Sequence, residues 1–155
     1  MRRSALGLLI TAVLLAGCGG GSSRLSKQDY EQHLHRDAAL IAKAATNAST
    51  ADFNSPAQYA RRIAIAEQDM NRAAKDLDAI KPPADAEEDT KQIVAGVRYL
   101  SKALARLHRA ATTKSFSDAQ KVSSDIAASP EVKGVGAAIK DLKGKGYDVG
   151  AFGGP

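Results

Sequence analysis

Two long stretches of the sequence carry mostly apolar residues in unbroken, alternating steps of four and three. The first stretch consists of Tyr59, Ile63, Ala66, Met70, Ala73, Leu77 and Ile80. The second consists of Ala86, Thr90, Ile93, Val97, Leu100, Leu104, Leu107 and Ala111. Such steps place side chains on one face of an α-helix and favour the packing found in left-handed helical bundles. The chain is therefore predicted to be all-α, and no stretch shows the two-residue alternation of a strand.

Capping residues and prolines mark where the helices begin and end. Ser26, with Asp29 three residues later, predicts a first helix from about 27 to 48. Its stripe is predicted to consist of Leu34, Ala38, Ile41, Ala45 and Ala48. Ser55-Pro56 opens the second helix as a cap followed by a proline at the first helical position, and Pro82-Pro83 ends it. The third helix is predicted to start at about residues 83–85, with acidic side chains in its first turns.

The fourth helix is predicted to start at a capping box, Ser117 with Gln120, and to be interrupted at Ser129-Pro130 by a kink or a restart. Beyond the proline an apolar face continues to about residue 143. Because the connections are short, neighbouring helices should be antiparallel, which predicts an up-down-up-down four-helix bundle over residues 26–143. The glycine-rich tail, residues 144–155, either packs back on the bundle through Tyr147, Val149 and Phe152 or is disordered.

The start of the chain has the three parts of an export signal. Arg2 and Arg3 are followed by an apolar stretch from Ala5 to Ala16, and then by Gly17 and Cys18. The apolar stretch has about 12 residues, against the roughly 20 that a membrane span needs. The segment Leu15-Ala16-Gly17-Cys18 resembles the lipobox of bacterial lipoproteins. An ordinary secretory signal is the alternative, but the only cysteine of the chain falls at the position that the motif requires.

The resemblance implies that residues 1–17 are removed as a signal peptide by cleavage between Gly17 and Cys18. It also implies that Cys18 carries fatty acyl chains such as palmitate, and that residues 18–25 form a lipidated Gly/Ser tether. Two or more acyl chains would anchor the protein durably. The predicted location is the extracytoplasmic face of the cell membrane, or the outer membrane in a host that has one.

Composition limits the possible functions. Without residues 1–17 the chain has 138 residues, with 20 basic and 17 acidic side chains. This mild positive charge does not predict nucleic-acid binding. With Cys18 acylated, no thiol remains for a disulfide or a thiolate metal site.

Residue patterns typical of catalysis and cofactor binding are missing from the sequence. His33 and His35 lie two residues apart, on nearly opposite sides of a helix, and none of the five glutamates is followed three residues later by a histidine, as di-iron bundles require. No Gly-x-Ser-x-Gly segment places a nucleophile. We therefore predict no enzyme activity, no metal and no cofactor. A haem held by Met70 and His108, or a lipid between the helices, remains the alternative.

One charged surface stands out. No acidic residue occurs between Thr90 and Ser117, and a basic face opposite the apolar stripe is formed by Arg98, Lys102, Arg106 and Arg109. It is either a solvated face that complements the helix dipole, paired with Asp69, Asp76 or Asp78, or a contact surface for an anionic envelope protein or polymer.

The body of the chain resembles small, uncharacterised all-helical lipoproteins of high-GC Gram-positive bacteria. The resemblance rests on the lipobox, on Leu25-Ser26 with Tyr30, and on Lys81-Pro82-Pro83-Ala84-Asp85. Many such proteins carry one cysteine in the first helix and one near a glycine-rich end, whereas this tail has none. We predict a membrane-anchored, non-catalytic binding or scaffolding role in the cell envelope. The alternative is a bundle that carries a small ligand, haem or lipid, between its helices.

Overall fold

The computed structural model describes residues 23–50 and 54–153, and these residues form an all-α bundle. The α-helices are α1 (Lys27–Ser49), α2 (Pro56–Ala79), α3 (Glu87–Thr112), α4 (Phe116–Ala128) and α5 (Pro130–Gly144). Single 3₁₀ turns lie at Ala84–Ala86 and Gly150–Gly153. The helices α4 and α5 together form the fourth member of the bundle. The predicted four-helix bundle, interrupted at Ser129-Pro130, is thus confirmed.

Contacts between the helices establish that successive members are antiparallel. Leu25 N–H, just before α1, donates to Lys81 O after the end of α2, at 2.8 Å, whereas Arg62 near the start of α2 donates to the Thr50 hydroxyl at 2.8 Å. Each terminus of α1 therefore meets the opposite terminus of α2.

The helices α2 and α3 also run in opposite directions. Arg98 of α3 pairs with Asp78 of α2 at 2.6 Å, and Ser101, further along α3, donates to Asn71, earlier in α2, at 2.7 Å. Arg106 of α3 then pairs with Asp125 of α4 at 2.9 Å. Lys145, just after α5, pairs with Asp89 in the first turn of α3 at 2.7 Å, so the fourth member also runs opposite to α3. The predicted up-down-up-down order follows from these pairs.

Ser129 turns the chain from α4 into α5. Its amide N–H donates to Ile126 O, and its buried hydroxyl oxygen accepts the Val132 N–H at 3.3 Å while donating to Glu131 at 2.6 Å. Pro130 occupies the first position of α5, where a missing N–H costs nothing. The interruption is therefore a restart with its own cap rather than a kink in a continuous helix.

The predicted stripes of α2 and α3 lie in the core, whereas the predicted stripe of α1 needs one correction. Ala45 is exposed, and Ala44 is fully buried in its place. The inward-facing residues of α1 are spaced alternately four and three residues apart, as they are in α2. They are Tyr30, Leu34, Asp37, Ile41, Ala44 and Ala48. Because Asp37 is charged, a pattern based on apolar residues alone does not include it and therefore predicts the wrong register.

Two of the predicted capping sites also differ from the structure. Ser26 caps α1 as predicted, since its side chain accepts the Asp29 N–H, but Ser55 makes no side-chain capping bond. The fourth helix begins at Phe116 with Ser115, not Ser117, as its cap. Lys114 has φ 55°, and Ser115 N–H donates back to Ala110 O at 2.9 Å. This left-handed turn reverses the chain within one residue, so that the next helix begins earlier than expected.

The tail packs back on the bundle, which is the first of its two predicted alternatives. Gly146 has φ 79° and ends α5, and Tyr147 N–H donates to Leu142 O at 2.9 Å. Tyr147 and Val149 are buried, and the turn Gly150–Gly153 lies against α1. Pro155 lies outside the described residues.

Candidate functional site

The predicted lipidation and cleavage residues, Gly17 and Cys18, lie outside the described residues, as do Leu15 and Ala16. The described chain begins at Ser23, and the residues that follow are fixed at one end of the bundle. Arg24 donates to Pro82 O at 3.0 Å and pairs with Glu87 at 2.6 Å. We call this end, where α1 and α3 begin and α2 and α5 end, the anchor end, after the predicted lipid anchor on Cys18.

The predicted basic face lies on the part of α3 that leads away from the anchor end. Lys102 and Arg109 come 15 and 22 residues after Glu87, the first residue of α3. At 1.5 Å per residue these distances are roughly 22 and 33 Å along the helix. The face therefore extends toward the opposite end of the bundle, which we call the far end.

The four predicted residues divide into two pairs. Arg98 pairs with Asp78 at 2.6 Å, and Arg106 pairs with Asp125 at 2.9 Å. These two cations fit the interpretation as a solvated face with acidic partners, and Asp78 is one of the partners that the sequence suggested. Pairs as exposed as these contribute little to stability.

Lys102 and Arg109 differ from the other two. Both side chains are exposed, and neither forms an ion pair or a side-chain hydrogen bond with a residue in 23–50 or 54–153. Arg109 also lies in the last turn of α3, where a cation complements the helix dipole. Their charges are available to an anionic partner.

Two further basic residues belong to the same end of the molecule. Arg61 lies in the second turn of α2, and Lys114 forms the turn between α3 and α4. Both are exposed. Sequence reasoning missed Lys114 because it follows the end of α3, and it missed Arg61 because only the antiparallel order of α2 and α3 brings that residue to the far end.

A groove lies at the anchor end, between the end of α2 and the first half of α3, with a volume of about 560 Å³. Its floor is formed by apolar side chains, including Leu77, Ile80 and Val94, and Arg24 and Lys81 lie on its rim. The sequence gives no direct signal for it. It forms only because the segment Lys81–Pro83, which follows α2, lies beside the chain that precedes α1.

The histidines and Met70 are not arranged as a shared site. His33 bonds to Arg36 at 2.6 Å, and His35 lies 3.1 Å from Asp148. Met70 is buried in the core, whereas His108 is half-buried on α3. The neighbour of Met70, Asn71, contacts Ser101, which lies seven residues or roughly 10 Å before His108 along α3.

Asp37 is the most unusual polar group of the described residues. It is fully buried, and neither of its carboxylate oxygens accepts a hydrogen bond from the described part of the chain. Arg36 Nε, on the same helix, lies 3.8 Å from Asp37 Oδ1, and the charge of Asp76 on α2 also acts on the Asp37 carboxyl group. Burial is the main cause that raises the pKa of Asp37 to about 6. Its place in the four-three register of α1 is the sequence signal that could have revealed it.

No helix within residues 23–50 and 54–153 has the length and apolar content of a transmembrane span. In the same residues no three side chains of histidine, aspartate or glutamate are grouped so that they could hold a metal ion. Comparison with protein-family models, curated proteins and solved structures finds no match to this chain.

Proposed function

We propose that this chain is a membrane-anchored extracytoplasmic lipoprotein with a non-catalytic binding or scaffolding role in the cell envelope. In this proposal lipid on Cys18 holds the anchor end at the membrane, and the far end contacts an anionic protein or polymer. The proposed contact at the far end rests on one observation: within the described chain, Lys102 and Arg109 have no acidic partner.

The arrangement of the two ends supports this reading. Arg24 is six residues from Cys18, and the Leu25 N–H donates a hydrogen bond to the backbone oxygen of Lys81, just after α2. Six residues span at most about 20 Å, so the anchor end would lie near the lipid headgroups. The exposed cations lie roughly 22 to 33 Å further along α3, where they would meet molecules outside the membrane.

The anchor is tested first, by intact mass and membrane fractionation of the wild type and of Cys18→Ala expressed in the native host. The proposal expects a mass increase on the wild type equal to a diacylglyceryl group, with the wild type in the membrane fraction and the variant unprocessed and unlipidated. A soluble wild-type protein with an unmodified Cys18 would contradict it.

The contact surface is tested by sedimentation of the purified protein with envelopes isolated from the native host, over a range of salt concentrations. We expect the double variant Lys102→Gln/Arg109→Gln to lose most of the binding at low salt. The matched control is Arg72→Gln/Lys75→Gln, which removes one arginine and one lysine that are exposed and three residues apart on α2. Binding that declines with salt in the wild type is expected, because screening weakens contacts between exposed charges.

The paired cations give a second control. In Arg98→Gln/Arg106→Gln the lost charges were already matched by Asp78 and Asp125, so we expect a smaller loss of binding than in Lys102→Gln/Arg109→Gln. Equal losses in all three double variants would mean that net charge, not this surface, governs the interaction.

A further inference from the structure

The groove at the anchor end combines an apolar floor with a basic rim. The floor includes Leu77, Ile80 and Val94, and the cations around it are Arg24, Lys81, Lys91 and Arg98. Its volume of about 560 Å³ lies within the range of small-molecule sites. An apolar floor with a few polar groups at the edge suits an amphiphilic ligand.

The charges around the groove favour an anionic ligand. Two acidic residues, Asp78 and Glu87, face the four cations. Arg98 is paired with Asp78, and Glu87 is shared by Arg24 at 2.6 Å and Lys91 at 2.9 Å. The rim thus retains two positive charges in excess.

Lys81 is the rim cation with the greatest freedom to contact a ligand. Its backbone carbonyl accepts the Leu25 N–H, but its exposed side chain forms no ion pair or hydrogen bond with the described residues. Glu87, by contrast, is held by its hydrogen bonds to Arg24 and Lys91, which lower its pKa to about 2. Glu87 therefore stays ionised and keeps those two cations in place at the rim.

The position of the groove points to the source of the ligand. Arg24 lies on the rim, and the undescribed segment that precedes Ser23 leads to Cys18. A lipid on Cys18 would hold the rim within about 20 Å of the headgroup layer. An anionic phospholipid in that layer combines an apolar tail with a head whose charge complements the excess positive charge of the rim.

We propose that this groove binds an anionic phospholipid, with the phosphate at Arg24 and Lys81 and the first part of an acyl chain on the floor between α2 and α3. The proposal rests on the proposed lipid anchor, which brings the groove to the membrane. Bound lipid would give the bundle a second attachment to the membrane and so fix its orientation.

The test is native mass spectrometry of the protein purified from its host in detergent, with phosphatidylglycerol or phosphatidylcholine added. We expect one phosphatidylglycerol to bind per chain, at least tenfold more tightly than phosphatidylcholine. Lys81→Gln should weaken this binding about threefold to tenfold, because a charge-assisted contact to phosphate is lost. Ala95→Glu, which puts a carboxylate at an exposed groove position on a helix, should weaken it at least tenfold.

The matched control is Lys140→Gln, which removes the same charge from an exposed position on α5 outside the groove. It should leave phosphatidylglycerol binding unchanged. Equal binding of the two phospholipids, equal effects of Lys81→Gln and Lys140→Gln, or no bound lipid would overturn the proposal.

The same sample separates this proposal from the proposed anchor. Denaturing the protein removes bound lipid but leaves any covalent lipid on Cys18, so the denatured mass tests the anchor alone. A modified Cys18 with an empty groove would overturn only the present proposal. An unmodified Cys18 with selective phosphatidylglycerol binding would overturn the anchor and support the groove.

Discussion

The ring of Tyr147 meets the ring of Tyr30 edge to face, with centroids 5.5 Å apart and planes at 90°. Tyr147 belongs to the tail and Tyr30 to the first turn of α1, and both are buried. The Tyr147 hydroxyl donates to Asp85 at 2.7 Å, and Lys27 Nζ lies 5.1 Å from the centre of its ring. A noncovalent cluster thus joins the tail to α1 and to the start of α3.

Replacing Tyr147 with alanine should release the tail. Loss of a buried aromatic side chain costs about 3 kcal/mol, so we expect Tyr147→Ala to lower the free energy of unfolding by about that amount. Hydrogen exchange should become faster over residues 145–153 and at the start of α1. Chemical denaturation and hydrogen-exchange mass spectrometry measure the two effects.

The control for this variant is Tyr147→Phe, which keeps the ring and removes only the bond to Asp85. It should cost about 1 kcal/mol, because Asp85 is exposed and can bond to water instead. If Tyr147→Ala and Tyr147→Phe were equally destabilised, the hydroxyl rather than the ring would hold the tail.

The helices α3 and α5 approach each other closely at Gly96. A Cβ atom at this position would lie 2.1 Å from Val135 Cγ2 and 2.9 Å from the backbone oxygen of Glu131. The valine side chain can rotate, but the carbonyl of Glu131 can move only with α5. We therefore expect Gly96→Ala to lower the free energy of unfolding by about 2 kcal/mol, despite the better helix propensity of alanine.

Gly136 provides the matched substitution on α5. It lies inside the helix, is exposed, and has no atom within 4 Å of the Cβ position. Gly136→Ala should therefore raise the free energy of unfolding by up to about 1 kcal/mol. Denaturant titrations of the two variants should give changes of opposite sign in the free energy of unfolding. If Gly96→Ala left this free energy unchanged, α3 and α5 would be able to move apart without cost.

Much of the fold could be predicted because its main signals are local and periodic. The stripes from Tyr59 to Ile80 and from Ala86 to Ala111 require only a count along the chain, and the helix breaks at Pro82 and Pro130 require only a proline. The start of α4 was predicted two residues late because the Lys114 turn adopts a left-handed conformation that is unusual for lysine. A turn of this kind leaves no clear trace in a single sequence.

The candidate sites were harder to predict because they combine distant segments. The basic residues of α3 could be listed from the sequence, but the partners of Arg98 and Arg106 depend on how α2 and α4 pack beside α3. The groove needs Arg24 beside a helix end nearly 60 residues later, a contact made through Pro82 O. Periodicity carries no information about such pairs.

The cap between α4 and α5 should stabilise the interruption of the fourth helix. Ser129→Ala removes the oxygen that accepts the Val132 N–H and leaves that donor near a buried position. We expect a loss of about 1 kcal/mol in the free energy of unfolding, and Ser129→Asp, which restores an acceptor, should lose less. The exposed residue Ser124 gives the control, since Ser124→Ala in the middle of α4 should have little effect.

The buried carboxyl group of Asp37 should make stability depend on pH. The groups that act on it are Arg36 on its own helix, which favours the charged form, and Asp76 on α2, which disfavours it. Removing the charge of Asp76 by Asp76→Asn should therefore lower the pKa of Asp37 and shift the pH dependence to lower pH. The same substitution at the exposed Asp78 provides a comparison, since Asp78 has no such effect on Asp37.

Asp37→Asn should remove this pH dependence. The pKa of Asp37 is about 6 in the folded chain against 3.8 for the ordinary group, so between these values the folded chain binds more protons than the unfolded chain. The contribution of Asp37 to the free energy of unfolding therefore falls as pH rises through this window, by about 2–3 kcal/mol in total. At pH 7.5 we expect Asp37→Asn to be more stable than the wild type by roughly that amount, whereas at pH 4 the two should be similar. Urea titrations at both pH values measure the difference. The opposite result, in which the wild type gains stability relative to Asp37→Asn between pH 4 and 6, would mean that water or a cation reaches the carboxylate.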